Sequence, residues 1–539
     1  MLSETDAIQP ADLHPVSRKH FNRLPNNNCS TNFQGEFYHM TRSITSIKSS
    51  AKSTQKRRST KNPPAPPQAT HEPPDTPVSV QDSTSNAALP ATRFVGLDVH
   101  KKQITYCILD GAGAIIREGE IVLTRERLAD FASKVLQPAD HIALESTTNC
   151  WAVVEILQQH VPHVVVSNPM ATKAIAHSKI KTDKVDAKVL AQLLRCDFLP
   201  TVWQPDADTR LRRQVSGRRA SLVGQRTQLQ NRIHSVLAMR LIIPPAGIAL
   251  FGTHGLAWLK TLTNDTIDVD GLMMIESDLR LLQSVQLEID KFDKRLADLA
   301  WEDDRVKLLM TIPGVSVVVA QALVAAFGDI TRFKSGDAAA SYLGLTPSTR
   351  QSATSVYHGP ITKHGNSTAR YMLVQAAQQY SRQSGPLGHF FQRIKRRKNH
   401  NVAVVATARK LAVIAWRILT TGEPYRYAQP AATATKLASL RIAAGGEKRR
   451  GGSPRGVKAA AKLPGGSKTI RSLDDTYQNE GLPTRSPLPP GELRHLANTN
   501  TLQFAEKISG SQVIPRKPKA SDQTHKNTGR QPEISQSEK

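Results

Sequence analysis

Apolar and polar positions follow different patterns in successive parts of the chain. From Arg93, short β-rich runs meet at a Gly-containing turn, and helical periodicity then alternates with two further strand-like runs, HIALES and HVVVSN. Three strands followed by helix, strand, helix, strand and helix is the element order of an RNase H-like domain. We therefore predict an α/β domain of this class over residues 93–204.

The next hundred residues are polar, with apolar residues recurring at intervals of three and four. This spacing is typical of helices that pack as hairpins or coiled coils. We predict long helices over 208–240 and 281–310, in a linker or oligomerisation region over residues 205–305.

A mostly α-helical domain is predicted over residues 306–428. Its segment TIPGVSVVVAQAL has the form of a helix-hairpin-helix, with Pro313 and Gly314 in the tight turn. The backbone N–H groups of such a turn and of the following helix can bind a DNA phosphate without reading sequence. Apolar helix-turn-helix cores without this role are also common, so both interpretations stay open.

Both ends of the chain have compositions typical of disorder. Residues 1–92 are rich in Ser, Thr, Asn, Pro and Lys, and residues 429–539 contain the basic, Gly-rich stretch GGEKRRGGSPRGVKAAAKLPGGSK. Such segments bury too little apolar surface to offset chain entropy. We predict disordered tails over both ranges.

Charge and composition narrow the function. The formal net charge of +27 indicates a polyanionic partner, with nucleic acid the default candidate. The four cysteines are scattered without a CxxC pair, which excludes a zinc finger and argues against a disulfide framework. No apolar run approaches the ~20 residues that cross a bilayer, and the N-terminus lacks the apolar core of a secretory signal. We expect a cytoplasmic protein with no membrane partner.

Four acidic residues occupy the elements where an RNase H-like metal site gathers its ligands. Asp98 lies inside an apolar strand, Glu145 ends HIALE, and Asp183 and Asp186 share one helical face in KTDKVDAKVLAQLL. Phosphodiester chemistry uses two divalent cations, and Mg²⁺ prefers carboxylate oxygens. We predict a catalytic Mg²⁺ or Mn²⁺ site at these acids. Singly, each acid has ordinary alternatives as a cap or turn former, and His100 is expected to have a supporting or structural role.

These segments resemble the DEDD transposases of bacterial insertion sequences, of the insertion sequence 110 type. The resemblance rests on FVGLDVHKK, ALES and KTDKVDAKVLAQLL, and on the later run from IPGVSVVVAQAL through GLTPSTRQS to GPITKHGN. It implies a RuvC-like catalytic domain whose metal-binding acids are Asp98, Glu145, Asp183 and Asp186. It also implies a DNA recombinase that mobilises an insertion sequence, guided by a structured RNA, acting as a dimer or tetramer near the bacterial nucleoid.

The same resemblance implies a nucleophilic serine that holds DNA as a 5′-phosphoserine. Ser352 best matches that position, although Ala353 follows it where the family pattern has Gly, and Ser355 is the alternative. Nearby cations can stabilise developing charge or contact nucleic acid, and we predict this role for three of them: Arg350, Lys363 and Arg370. The basic run RIKRRKNH is a further candidate contact.

Two other functions fit the same residues. A junction resolvase or nuclease would use the same acids with water as nucleophile and would leave no covalent adduct. An inactive remnant would only bind nucleic acid.

Overall fold

The computed structural model describes residues 92–176, 182–352, 354–446, 468–510 and 512–514, so the predicted N-terminal tail lies outside the described residues except for its last position. A five-stranded sheet is formed by β1 (Phe94–Val99), β2 (Gln103–Leu109), β3 (Ile115–Val122), β4 (His141–Glu145) and β5 (His163–Ser167). The strand order is β3-β2-β1-β4-β5. The first three strands pair antiparallel, whereas β4 runs parallel to β1 and β5 parallel to β4. A mixed sheet is therefore present where the sequence predicted an α/β domain.

Helices cover both faces of this sheet, with α1 (Arg125–Lys134) and α2 (Cys150–Leu157) on one face. Helix α3 (Pro169–Ile175) follows β5, and α4 (Asp183–Arg195) lies on the other face. Alternate residues of β1, such as Val95 and Leu97, pack in one core with residues of α1 and α2. The intervening positions face α4, where Phe94 packs against a small cluster containing Ala187 and Ala191. The side-chain alternation of a strand thus gives each face its own helical layer.

Gly96 allows α4 to approach β1 closely. A Cβ at this position would lie 2.7 Å from the backbone nitrogen of Ala191 and would also collide with the carbonyl oxygen of Ala187. Only a residue without a side chain fits between strand and helix at this point. This approach brings the first turn of α4 over the end of β1.

The chain continues into a predominantly helical part. Its elements are α5 (Ala207–Met239), α6 (Thr253–Leu259), α7 (Val269–Trp301), α8 (Asp304–Met310), α9 (Val317–Phe327), the 3₁₀ turn Ile330–Arg332, α10 (Gly336–Tyr342), β6 (Pro347–Ser352), β7 (Ser355–Ile361), α11 (Ser367–Gln378), the 3₁₀ turn Gln379–Ser381, α12 (Pro386–Arg397) and α13 (His400–Thr421). Strands β6 and β7 form a separate antiparallel ribbon.

The long helices α5 and α7 pack antiparallel. Arg219 pairs with Asp293, whereas Arg232, which lies later in α5, pairs with Asp278, which lies earlier in α7. Helix α7 begins well before the predicted start at Leu281, because Asp268 caps it by accepting a hydrogen bond from the backbone N–H of Gly271. It also ends at Trp301, and Asp303 is the N-cap of the separate helix α8.

Part of the predicted C-terminal disorder is wrong. The described residues beyond 429 form α14 (Pro430–Ala443), β8 (Lys468–Ile470), α15 (Leu473–Asn479), α16 (Pro490–Asn498), α17 (Leu502–Ser509) and β9 (Gln512–Ile514). Leu437, Leu440 and Tyr477 are buried in the core of the helical part. The Gly-rich basic stretch that suggested disorder lies mostly outside the described residues. The composition of that stretch dominated the prediction, so the apolar positions before and after it were not recognised as core positions.

None of the helices in the described segments is both long enough and apolar enough to cross a membrane.

We expect Gly96→Ala to destabilise the protein, because the new Cβ forces α4 away from β1. Overpacking of this kind costs about 1–3 kcal/mol in the free energy of unfolding, measurable by denaturant titration. Gly111→Ala is the matched control, since a Cβ there meets no atom within 4 Å. Equal effects of the two substitutions would contradict the close approach.

Candidate functional site

The strand register aligns two of the predicted acids on one face of the sheet. Asp98 lies opposite Thr105 of β2, and Glu145 lies opposite Ser167 of β5. Leu97 pairs with Leu144 across the parallel β1–β4 contact, so Asp98 and Glu145 are the next residues on adjacent strands. Their side chains share the face that α4 covers, because the strands alternate.

Helix α4 contributes the other two acids from its first turn. Its N-cap is Thr182, whose hydroxyl accepts a hydrogen bond from the backbone N–H of Val185, and Asp183 and Asp186 follow. Both acids are half-buried. Negative side chains are favoured at this end of a helix by the N–H groups exposed there. The helix start therefore tolerates two acids that face a third on the sheet.

His100 joins the strand acid to a helix acid. Its Nε2 lies 3.2 Å from Oδ2 of Asp98 and 3.3 Å from Oδ2 of Asp183. The candidate ligand atoms of the three residues all lie within 4.8 Å of one another, which is compatible with a shared metal ion. Among the four predicted acids, Asp98 and Asp183 are thus connected through one imidazole.

The pKa values reflect crowded negative charge. Burial raises the pKa of Asp98, and the charges of Asp183 and Asp186 raise it further, while His100 acts in the opposite direction. Burial opposes the charge on His100, but the carboxylates of Asp98 and Asp183 outweigh it and raise the pKa of the imidazole. The acids therefore attract a cation, and the protonated ring of His100 provides a positive charge between two of them.

Two hydroxyl groups beside the acids lack hydrogen-bond partners among the described atoms. They are Oγ1 of Thr105 and Oγ of Ser167, and both residues are fully buried. Buried polar atoms are normally paired, so an unpaired hydroxyl next to each acid suggests room for a bound ion or water. Carboxylate and hydroxyl oxygens with one imidazole nitrogen form a donor set that suits Mg²⁺ or Mn²⁺. The residues present fit a divalent cation.

The sequence pattern identified the acids, but it did not predict the direct contacts that neighbouring residues make with them. His100 was expected to support the site from beside it, whereas its ring contacts two of the acids directly. Thr105 and Ser167 were not singled out. Their position opposite Asp98 and Glu145 follows from the strand register, which a single sequence does not reveal.

The candidate serine lies on the β6–β7 ribbon, apart from the sheet. Ser352 is the last residue of β6 and pairs with Ser355, the first residue of β7, so both candidates occupy the tip. Both side chains are exposed, as is Arg350, which lies opposite Tyr357. Both serines are therefore accessible from the solvent.

The loop that follows the ribbon contains the other two predicted cations. Lys363 adopts a left-handed backbone conformation, with φ of 59°. Arg370 donates hydrogen bonds to the carbonyl oxygens of Leu343 and His364, at 2.9 and 3.1 Å. Burial lowers the pKa of Arg370. In this structure Arg370 therefore holds the loop against the end of α10.

The predicted hairpin turn connects α8 to α9. Gly314 has φ of 81°, and a Cβ there would lie 2.7 Å from the carbonyl oxygen of Ala376 in α11. The hydroxyl of Tyr380 donates to the carbonyl oxygen of Pro313 at 2.9 Å. Glycine is needed at this turn for both its backbone conformation and its contact with α11. The exposed basic end of α12 also lies in this part of the chain, with Arg393, Lys395, Arg396 and Arg397.

Comparisons with known proteins give a consistent result. A family model described as a transposase matches residues 95–240, and a model of the transposase family IS116/IS110/IS902 matches residues 306–392. A putative transposase of Sinorhizobium fredii is 29% identical over 57% of this chain and 79% of its own length. The transposase for insertion sequence element IS1328 of Yersinia enterocolitica is 25% identical over 62% of this chain and 98% of its own. A pilin gene-inverting protein of Moraxella bovis is 25% identical over 53% of this chain and 81% of its own.

We expect His100→Asn to remove a pH-dependent part of the stability of the metal-free protein. Since the pKa of His100 is raised in the folded state, its contribution is fully present below about pH 6.5 and is lost as the pH rises through the raised value. The contribution is less than about 1 kcal/mol because the ring is half exposed and screened by solvent.

Denaturant titrations in EDTA between pH 6 and pH 9 measure this difference. His254→Asn, at an exposed position in α6, is the control. If His100→Asn retains the wild-type decrease in stability with pH, another group causes it.

Proposed function

Because the chain belongs to the transposase family of the insertion sequences IS116, IS110 and IS902, we propose that it cleaves and rejoins DNA with a metal-dependent acidic site and a serine nucleophile. The observation that carries the proposal is the convergence of Asp98, Asp183 and His100. Glu145 is the neighbour of Asp98 on the adjacent strand. Asp186 lies near enough to raise the pKa of Asp98. We assign the sheet order β3-β2-β1-β4-β5 to an RNase H-like fold.

The four acids hold the metal in this proposal. Two Mg²⁺ or Mn²⁺ ions would activate the nucleophile and stabilise the leaving oxygen. Asp98 and Glu145 supply oxygens from the rigid end of the parallel strands, and Asp183 and Asp186 supply them from α4. His100 fixes the relative position of strand and helix by contacting Asp98 and Asp183.

Ser352 is the nucleophile in this proposal. Its Oγ attacks a DNA phosphorus, the new O–P bond forms a 5′-phosphoserine, and the bond from phosphorus to the 3′ oxygen breaks. The proton lost by the serine balances the proton gained by the 3′ oxygen, so the step needs no other reactant. Attack by a different 3′ hydroxyl reverses the reaction and rejoins DNA. Exposure of Ser352 at the tip of the ribbon supports this role.

The nucleic-acid surface is assigned to the helical part. The turn at Pro313 and Gly314 acts as a helix-hairpin-helix that binds a phosphate, and Arg350 and Lys363 bind DNA beside the serine. Arg370 contributes by holding the loop that contains Lys363. The basic end of α12 adds contacts that are independent of sequence.

We assign residues 93–204 to catalysis, 205–305 to oligomerisation and 306–428 to the serine-bearing domain. Exposed apolar side chains on α7, among them Met273, Leu281 and Leu287, support assembly into a dimer or tetramer. A structured RNA is included as the guide because the resemblance to the insertion sequence 110 transposases implies one. The net charge of +27 is compatible with any nucleic-acid partner.

The serine is tested by trapping the covalent intermediate. Purified protein is incubated with labelled duplexes carrying the junction of the element, Mg²⁺ and RNA transcribed from the flanks of the element. We expect a protein–DNA adduct on a denaturing gel, reduced more than about a hundredfold by Ser352→Ala. Ser355→Ala is the matched control, since both serines lie at the same ribbon tip, and it should retain the adduct.

Other outcomes identify a different chemistry. Loss of the adduct only in Ser355→Ala would move the nucleophile to that residue. Cleaved DNA without an adduct would indicate a nuclease that uses water. Neither product in any reaction would contradict the proposed cleavage.

We expect Asp98→Asn to separate metal binding from folding. The substitution removes a buried charge whose pKa is raised by burial and by neighbouring acids, so the metal-free variant should unfold at the wild-type temperature or above it. Mg²⁺ at a hundred times its Kd should stabilise the wild type by about 2.7 kcal/mol and leave the variant unchanged. DNA cleavage should be abolished while DNA binding is spared.

Thermal unfolding with and without Mg²⁺ measures the stability effect. Asp130→Asn, on the exposed surface of α1, is the control and should respond to Mg²⁺ like the wild type. Retained cleavage in Asp98→Asn would refute the metal site.

A further inference from the structure

A lysine from the C-terminal region inserts beneath the hairpin between α8 and α9. The Nζ of Lys436, on α14, donates hydrogen bonds to the carbonyl oxygens of Met310, Ile312 and Val315. The distances to Ile312 and Val315 are 2.8 and 3.3 Å. A lysine ammonium has three N–H donors, and here three carbonyl oxygens accept them.

These three carbonyl groups converge on one point because of the shape of the hairpin. Met310 ends α8, Ile312 lies in the turn, and Val315 precedes α9. Their side chains are buried in the core, so the backbone cannot rotate to point the oxygens elsewhere without unpacking it. Three carbonyl dipoles aimed at one point repel each other unless a positive charge lies between them.

Rings of backbone carbonyl oxygens are the environment in which proteins bind monovalent cations, because the oxygens replace the hydration shell of the ion. We propose that the carbonyl oxygens of Met310, Ile312 and Val315 form a monovalent-cation site, and that the ammonium of Lys436 is its tethered occupant. When Lys436 is replaced by a small residue, K⁺ or Na⁺ binds in its place. This site goes beyond the proposed DNA chemistry and does not depend on it.

The ammonium is positioned by its helix as well as by its hydrogen bonds. Leu437 and Leu440 anchor α14 in the core, and Arg441 pairs with Glu480 at 2.9 Å. Removing the amine therefore leaves α14 in place and opens a space lined by carbonyl oxygens. Burial lowers the pKa of Lys436 to about 8, a value at which the amine is still mostly protonated at neutral pH.

Because the cation is part of the chain, the stability of the hairpin does not depend on which ions the medium contains. A diffusible ion would dissociate on dilution, whereas Lys436 is present at every salt concentration. Its charge also lies beneath the turn at Pro313 and Gly314, where it adds to the attraction for an anion on the opposite side. Lys436 is thus a positioning residue for the hairpin.

The test is thermal unfolding of the full chain in KCl and in N-methyl-D-glucamine chloride at equal ionic strength. The organic cation is too large to enter the space. We expect Lys436→Ala to unfold at a lower temperature than the wild type in N-methyl-D-glucamine chloride. KCl should raise its midpoint by about 3 °C or more, saturably with concentration. The wild type and Lys410→Ala, an exposed lysine on α13, should show the same midpoint in both salts.

A second variant blocks part of the space. Lys436→Gln keeps a side chain one bond shorter than that of lysine, with two N–H donors, so its response to KCl should be smaller than that of Lys436→Ala. Equal midpoints for Lys436→Ala in the two salts would overturn the proposal, as would a Lys436→Ala protein that is unfolded in both. An equal K⁺ response in Lys436→Gln would place the ion elsewhere. None of these outcomes involves DNA, so a failure here is distinct from a failure of the proposed function.

Discussion

The buried carboxylate of Asp98 is the constraint on which the sheet end depends. An ionised acid inside an apolar strand is costly unless a positive charge or hydrogen-bond donors compensate it. Here the compensating charge comes from His100, which follows directly after the strand. Helix α4 brings two further acids over the strand end, and the hydroxyls that flank the acids are unpaired, so negative charge remains in excess. Gly96 makes this possible because it lets α4 approach the strand. The crowded acids raise the pKa of Asp98 and favour a positive charge between them.

A second buried polar group connects the long helices to the hairpin. The guanidinium of Arg212 on α5 contacts Asp303 at 3.1 Å and Oε1 of Gln321 on α9 at 2.8 Å. The amide of Gln321 in turn donates to the carbonyl oxygen of Leu296 on α7. All three polar side chains are buried and paired, so the network is stable only in one arrangement of these helices. The hairpin therefore has a fixed position relative to the end of the long helical pair.

Local patterns were sufficient for part of this architecture. An acid within an apolar run identified Asp98, and i, i+3 spacing identified Asp183 and Asp186, because both features are encoded within a few residues. The positions of Thr105 and Ser167 opposite the acids depend on strand register, which is a property of four strands together. The helix containing Leu437 and Leu440 was missed because its burial depends on a core formed more than a hundred residues earlier. Composition near the Gly-rich stretch therefore favoured disorder, although tertiary packing determines the structure there.

Charge compensation takes two forms in this protein, and the difference follows from accessibility. His100 is half exposed and its pKa is raised by the acids, so the positive charge that it places between them is lost when the ring deprotonates. Lys436 is held by a packed helix against carbonyl groups of buried residues, so its charge is permanent. In the proposed function, a charge that can be lost leaves the acids able to bind a divalent cation. A permanent charge keeps one shape at the turn that is proposed to bind a phosphate.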